Sequence, residues 1–202
     1  EYPLKRYGFN SDSSMQLMIE AERRVYADRA THLGDPDFYK VPQKHLINPI
    51  YSKYRMSNFN RAKATLSSDI KAGIVPTESE ETTHFSIVDR DGNAVAITTT
   101  LNGGFGSMVF VKGAGFLLNN EMDDFSAKVG ASNLFGAIGS QANAIAPRKT
   151  PLSSMSPTIV LENGKPILSL GAPGGTRIIS CVAQTILNYL EFELPLKDSI
   201  SS

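Results

Sequence analysis

Two adjacent threonines, Thr82 and Thr83, stand where an acidic polar stretch, Thr77-Glu78-Ser79-Glu80-Glu81, gives way to the strand-like run His84-Phe85-Ser86-Ile87-Val88. A hydroxyl becomes a serviceable nucleophile only with a base beside it, and a threonine at a chain start has its own α-amino group for that role. The reference pKa of that amine is about 7.7–8.0, so near neutral pH part of it is unprotonated. Making such a start inside a longer chain requires cleavage of the bond before the threonine, here Glu81-Thr82. Other catalytic sets are missing. There is no Gly-x-Ser-x-Gly elbow, no His-Glu-x-x-His and no phosphate-binding Gly-x-x-x-x-Gly-Lys, and the histidines are His32, His45 and His84 alone. His84, next to the threonine pair, is placed to help position it. On the residues alone, a polar linker entering an edge strand is the plainer reading of this region.

The elements that must position these residues are legible from periodicity and turn chemistry. Ser13 or Ser14 is suited to cap a helix reaching about Ala30, whose Met15, Met18, Ile19, Val25 and Tyr26 recur at helical spacing; it reads as packing, without chemistry. Tyr51, Tyr54, Met56 and Phe59 indicate a second helical piece. Residues 73–81 form a polar, mobile linker, the clearest internal boundary. Beyond it, residues 84–89 and 94–100 flank Asp91-Gly92, and residues 158–161 and 167–170 flank Asn163-Gly164, two hairpin signatures. Residues 125–151, rich in Gly, Ala, Ser and Asn, make a loop long enough to be a lid. Gly171-Ala172-Pro173-Gly174-Gly175 then leads into an apolar helix over about 176–190. Hairpins with helices before and after predict a layered α+β domain, with 1–81 and 82–202 folding together as one.

Composition narrows the function classes. With 20 Lys and Arg against 20 Asp and Glu in 202 residues, there is no net field to draw nucleic acid or an anionic membrane surface. No apolar run approaches the roughly 20 residues of a membrane span. The single cysteine, Cys181, excludes an internal disulfide and any multi-cysteine metal site; its apolar neighbours predict a buried, inert thiol.

A set of motifs then carries more than any one residue. Thr82-Thr83-His84-Phe85-Ser86, Asp91-Gly92-Asn93-Ala94-Val95-Ala96, Thr100-Leu101-Asn102, Leu118-Asn119-Asn120-Glu121-Met122-Asp123-Asp124-Phe125, Pro151-Leu152-Ser153-Ser154-Met155-Ser156-Pro157 and Gly171-Ala172-Pro173-Gly174-Gly175 resemble, in order and spacing, the small-subunit motifs of the gamma-glutamyltranspeptidase family. Upstream, Ala21-Glu22-Arg23, Tyr26-Ala27-Asp28-Arg29 and Leu33-Gly34-Asp35-Pro36-Asp37-Phe38 resemble the end of that family's large subunit, so the likeness covers nearly the whole chain. It implies a four-layer αββα sandwich of the N-terminal nucleophile hydrolase type, and a precursor that cleaves itself before Thr82. By the same resemblance Thr82 is the nucleophile and Thr100 orients it. Asn102, Glu121 and Asp124 surround the substrate α-ammonium, Ser153 and Ser154 hold its α-carboxylate, and the Gly174 and Gly175 N–H groups form an oxyanion hole. Phe135 falls at a lid position where many bacterial relatives have tyrosine, and Glu121 stands where many have glutamine.

The activity implied is hydrolysis or transfer of the gamma-glutamyl group of glutathione and related amides, passed to water or to an acceptor amino acid or peptide. No metal or organic cofactor is implied. The resemblance also implies partners: the remainder of the large subunit, which lies outside this chain and carries an arginine for the α-carboxylate. The chain by itself is therefore expected to be inactive. A periplasmic or secreted location is implied by the family alone. Two alternatives stand beside this reading: a glutaryl-type cephalosporin acylase of the same fold, and a folded but inert unprocessed fragment.

Overall fold

The computed structural model describes residues 2–71, 82–128, 130–131, 133 and 138–201. The expected linker at 73–81, Glu81 of the expected scissile bond and the lid residue Phe135 lie outside them.

The chain opens with a short helix, α1 (Leu4–Tyr7), followed by the long α2 (Asp12–His32). Ser11 caps α2, rather than Ser13 or Ser14: its side chain accepts the Ser14 N–H at 3.2 Å. Asp12 in the first turn and Arg29 and His32 in the last complement the helix dipole. The buried stripe is Ser14, Leu17, Glu20, Arg24 and Ala27, at helical spacing. Ile19 and Val25, expected to pack, are 50% and 57% exposed. The stripe is built around an ion pair in place of the apolar set. Glu20 accepts from Arg24 at 2.6 Å, from Arg23 at 2.9 Å and from the Thr65 backbone N–H at 3.0 Å. Arg24 also donates to the Arg55 carbonyl and Asn58 Oδ1, each at 2.7 Å. This network clamps residues 55–67 onto α2. Burial pushes the Glu20 carboxyl upward, but the bonds from Arg24 and Thr65 and the Arg24 charge outweigh it and hold its pKa down to about 2.

Two short helices, α3 (Gln43–Leu46) and α4 (Pro49–Arg55), cross between these points. The second helical piece, expected within residues 48–68, starts at Pro49 behind its Asn48 cap and ends at Arg55, short of Met56 and Phe59.

Both hairpins form as expected. Strand β1 (Thr83–Val88) pairs antiparallel with β2 (Ala94–Thr99), Thr83 opposite Thr99. A small ladder that the sequence did not signal, β3 (Phe110–Val111) with β4 (Phe116–Leu117), follows. Strand β5 (Thr158–Glu162) pairs with β6 (Lys165–Leu170) through Asn163 and Gly164, both at positive φ, as a two-residue hairpin turn demands. Its register shifts at Val160/Leu161, where Pro166 lacks an N–H to offer the ladder. The two hairpins lie side by side, the Ser169 hydroxyl donating to the Val95 carbonyl at 3.2 Å. One face of the first hairpin, Phe85, Ile87, Val95 and Ile97, is more than 40% exposed at every position.

The helix after the glycine loop is α5 (Arg177–Leu190), and α6 (Leu196–Ser201) follows it. Ile178 and Val182 bury one side of α5. Cys181 falls beside that stripe and is exposed, against the expectation of a buried thiol. Helices α2 and α5 are tied by Tyr26, whose hydroxyl donates to the Thr176 carbonyl at 2.6 Å, and by the Ser180 hydroxyl donating to Glu22 at 2.9 Å. Among the described residues no helix is long and apolar enough to cross a membrane.

Candidate active site

Thr82 immediately precedes β1, and extending the Thr83↔Thr99 register by one residue sets it opposite Thr100. Both line one open cleft of about 680 Å³, open solvent included. The strand ends at Thr99, so Asn102 does not reach the cleft by strand alternation. It gets there through a bend: its φ is 73°, its N–H donates to Thr100 Oγ1 at 2.9 Å, and only 5% of it is exposed. Asparagine tolerates this left-handed conformation better than most residues. Its amide donates to the Asn120 carbonyl at 3.2 Å, while Asn120 Oδ1 accepts the Gly103 N–H at 2.9 Å. These bonds lace the bend to the tight turn over Glu121–Asp124 and bring Asn102 and Asp124 into the same cleft.

Asp124 is held from behind by Asn143, whose side chain donates to the Asp124 carbonyl at 2.7 Å and accepts the Leu152 N–H at 3.0 Å. That one buried amide links the acidic turn to the serine pair. Burial pushes the Asp124 carboxyl up to about 7, with the Glu121 hydrogen bond and charge and the Asp123 charge adding to it and Arg29 opposing. Burial raises Glu121 as well, and its bond to Asp124 opposes this only in part. Glu121 is not in the cleft wall and reaches the site through Asp124.

Opposite in character is the serine pair. Ser153 Oγ accepts the Met155 N–H at 3.1 Å, and Ser154 Oγ accepts from the Arg29 guanidinium at 2.9 Å. A hydroxyl that accepts from a fixed N–H keeps its own hydrogen for another acceptor, so both serines present donors to an anion. Gly175, φ 55°, lines the cleft; Gly174, φ 122°, is buried beside it and is not part of the wall. They sit at the start of α5, and among the described residues no acceptor takes either N–H. His84 does not turn to Thr82: Nδ1 is 2.8 Å from Thr98 Oγ1 and Nε2 is 3.0 Å from Ser86 Oγ.

The cleft thus gathers Thr82, Thr100, Asn102, Asp124, Ser153, Ser154 and Gly175 of the expected set, from segments far apart in the chain. It also contains residues the sequence did not single out. Arg29 comes from α2, the helix read as packing alone, and Asn143 and Ser126 from the long loop. Arg29 lies in the stretch Tyr26-Ala27-Asp28-Arg29 that bears the family likeness, a signal that carried no role; nothing marks Asn143 in its loop. Among the described residues no cluster of His, Cys, Asp and Glu could hold a metal ion.

A threonine at the head of a strand, lining a polar cleft between hairpins and helices, is the arrangement that an N-terminal nucleophile hydrolase requires. The structure of a cephalosporin acylase from Bacillus halodurans, 20% identical, matches 95% of this chain and 33% of its own with a TM-score of 0.69, which shows that fold: an α+β four-layer αββα sandwich. The sequence model of the gamma-glutamyltranspeptidase family matches residues 1–202, and the chain belongs to that family. Glutathione hydrolase proenzyme of Escherichia coli (strain K12) is 50% identical over 202 residues, all of this chain and 35% of the relative. The gamma-glutamyltranspeptidase of Pseudomonas nitroreducens, solved in complex with L-DON, is 61% identical over 58% of this chain and 61% of its own, with a TM-score of 0.57. The chain spans about a third of the length of the curated relatives it matches.

Proposed function

We propose that this chain forms the junction and catalytic part of a gamma-glutamyl hydrolase/transferase acting on glutathione and related gamma-glutamyl amides. The observation that carries the reading is the polarity of the cleft. An acidic wall at Asp124 and a donor wall at Ser153 and Ser154 flank the hydroxyl-bearing Thr82, which suits an amino acid head group with its amide directed at a nucleophile.

In this reading cleavage before Thr82 frees its α-amine, which takes the proton from its own hydroxyl as Oγ1 attacks the gamma-carbonyl. The Gly174 and Gly175 N–H groups stabilise the tetrahedral oxyanion, and the amine product leaves with the transferred proton. Water, or the amino group of an acceptor amino acid or peptide, then resolves the threonyl ester. Thr100 keeps Thr82 in register, and Asn102 and Asp124, backed by Glu121, take the α-ammonium. Phe135 is assigned to the lid on the resemblance alone. The remainder of the large subunit would cover the exposed apolar face of the first hairpin, and the location would be periplasmic or secreted. The glutaryl-type acylase alternative is disfavoured by Asp124, since a glutaryl group has no ammonium to meet it. The inert-fragment alternative concerns this chain by itself, and mass spectrometry of the 202-residue chain tests it: an intact Glu81-Thr82 bond is expected, and two fragments divided at Thr82 with release of anilide would remove it.

The gamma-glutamyl reading is tested by release of anilide from a gamma-glutamyl anilide by the full-length protein, with and without Thr82→Ala. Activity in the native protein, and one uncleaved inactive chain in the variant, is the expected outcome. Cleavage of the variant at the same bond would remove Thr82 from the mechanism.

A further inference from the structure

Arg29 is a cation inside the cleft for which the activity proposed above has no role. It lies in the last turn of α2, tied to α5 through Tyr26, so its backbone is fixed by the packing of two helices. Burial lowers its pKa, while the charges at Tyr26 and Asp124 raise it. A guanidinium nevertheless remains protonated throughout the working range. Its Nη2 donates to Ser154 Oγ at 2.9 Å. Because arginine has no acceptor, that bond consumes a lone pair of the serine and dictates where the serine hydrogen points. Among the described residues the Ser154 hydroxyl donates to no other group. It is therefore a donor held toward the cleft, polarised by the positive charge behind it.

We propose that Arg29 is a specificity-determining positioning residue: it fixes Ser154 as a hydrogen-bond donor and supplies the positive potential that makes the serine end of the cleft select a carboxylate. This rests on the gamma-glutamyl reading. Arg29 acts through Ser154, and its charge also balances Asp124 across the cleft. A cation contributed by α2 explains why a helix in the N-terminal half stays part of the site after the chain is cut. It also predicts discrimination between substrates that differ only in the α-carboxylate. Loss of the guanidinium leaves Ser154 free to rotate and to present a lone pair, which repels the anion it had attracted.

The test uses the full-length protein with gamma-glutamyl p-nitroanilide and 4-aminobutyryl p-nitroanilide, which keeps the ammonium and the reacting amide and drops the carboxylate. Arg29→Gln should lower kcat/KM on the gamma-glutamyl substrate about tenfold to a hundredfold, mainly through KM, the scale of one charge-assisted bond. On the 4-aminobutyryl substrate the change should stay below about threefold when both substrates are compared near pH 9, where Asp124 is ionised with or without Arg29. In a Ser154→Ala background the same substitution should cost clearly less on the gamma-glutamyl substrate than it does in the native protein, since only the through-space charge of the guanidinium is then left to lose. Arg29→Lys, which keeps a donor and the charge, should recover part of the loss, and it carries the test if the glutamine variant does not fold. Equal losses on the two substrates, or an undiminished loss in the Ser154→Ala background, would overturn the role of Arg29 while leaving the enzyme reading intact. Failure of the native protein to release anilide from the gamma-glutamyl substrate would overturn that reading and this inference with it.

Discussion

With Asp124 as the proposed ammonium-binding group, backed by Glu121, capture of a gamma-glutamyl substrate should depend on pH in a way that one substitution shifts. Asp124 attracts a cation only when ionised, and burial, then the Glu121 hydrogen bond and charge, raise its pKa from 3.8 to about 7. At pH 6 roughly a tenth of free sites would carry the carboxylate, so kcat/KM for a gamma-glutamyl substrate should lie about tenfold below its plateau and climb through pH 7. Glu121→Gln removes the neighbouring charge and the shared proton. Two unit charges about 4 Å apart interact by about 1 kcal/mol in water and about 4 kcal/mol at an effective dielectric of 20, so the limb should move down by about 0.7 to 3 pH units. Arg29→Gln should move it up, because Arg29 is the group that lowers the Asp124 pKa. The Thr82 amine titrates nearby and acts on every substrate, so the control is a glutaryl anilide, which lacks the ammonium and should show only the amine's limb. Initial rates at low substrate between pH 5 and 9 give the profiles. An identical Glu121→Gln shift on both substrates, or no shift on the gamma-glutamyl one, would show that Asp124 does not hold the ammonium. The same titration bears on folding. A carboxyl whose folded pKa is raised holds a proton between about pH 4 and 7 that the unfolded chain has released, so its contribution to stability falls as pH rises across that window. The full shift would amount to about 4 kcal/mol, reduced by the open cleft to about 1–2 kcal/mol, and Asp124→Asn should flatten the dependence in denaturant melts.

Other substitutions probe the supports of the site. Thr83→Ala should still permit cleavage at Glu81-Thr82, whereas Thr82→Ala should abolish it, as read by denaturing electrophoresis of the full-length protein. Glu20→Gln should destabilise the fold by about 3–5 kcal/mol, because it leaves the buried Arg24 charge without its partner. Since the Glu20 pKa is depressed from 4.5 to about 2, its stabilisation is complete above pH 4.5 and lost as pH falls through 2, and acid melts of the two proteins should converge there. Gly171→Ala should cost about 1–3 kcal/mol in melts and lower kcat, because the new Cβ would sit 2.2 Å from His84 Nδ1 and push the loop carrying Gly174 and Gly175. A variant with unchanged stability and rate would mean that His84 yields freely.

What was legible in the chain followed from local chemistry. Asp91-Gly92 and Asn163-Gly164 announce their hairpins because only a few residues accept positive φ, and the α5 helix is marked by its apolar period. The long-range part of the site was legible only through motif order, since no local rule says that Asp124 and Ser154 meet. The misses share a cause, which is that side-chain burial depends on partners distant in sequence. Helix α2 buries Glu20 and Arg24 because residues 55–67 return to satisfy them, and leaves Ile19 and Val25 outside. Cys181 sits in an apolar run yet faces out, since the run is longer than the stripe that α5 buries. Asn102 enters the cleft through a bend at positive φ beyond the end of β2, which the strand pattern does not announce. Arg29 looks like any basic residue ending a helix, and only the folded chain places it against Ser154.

In the proposed mechanism Thr82 becomes an amino-terminal nucleophile that carries the acyl group. This role is tested most directly by quenching the full-length protein in acid during turnover of a gamma-glutamyl anilide and mapping the peptides by mass spectrometry. A chain beginning Thr82-Thr83-His84-Phe85 is expected, with the mass of one glutamyl group added as an ester at Thr82. An intact Glu81-Thr82 bond in a protein that still turns over, or the glutamyl group on any other residue, would contradict that role.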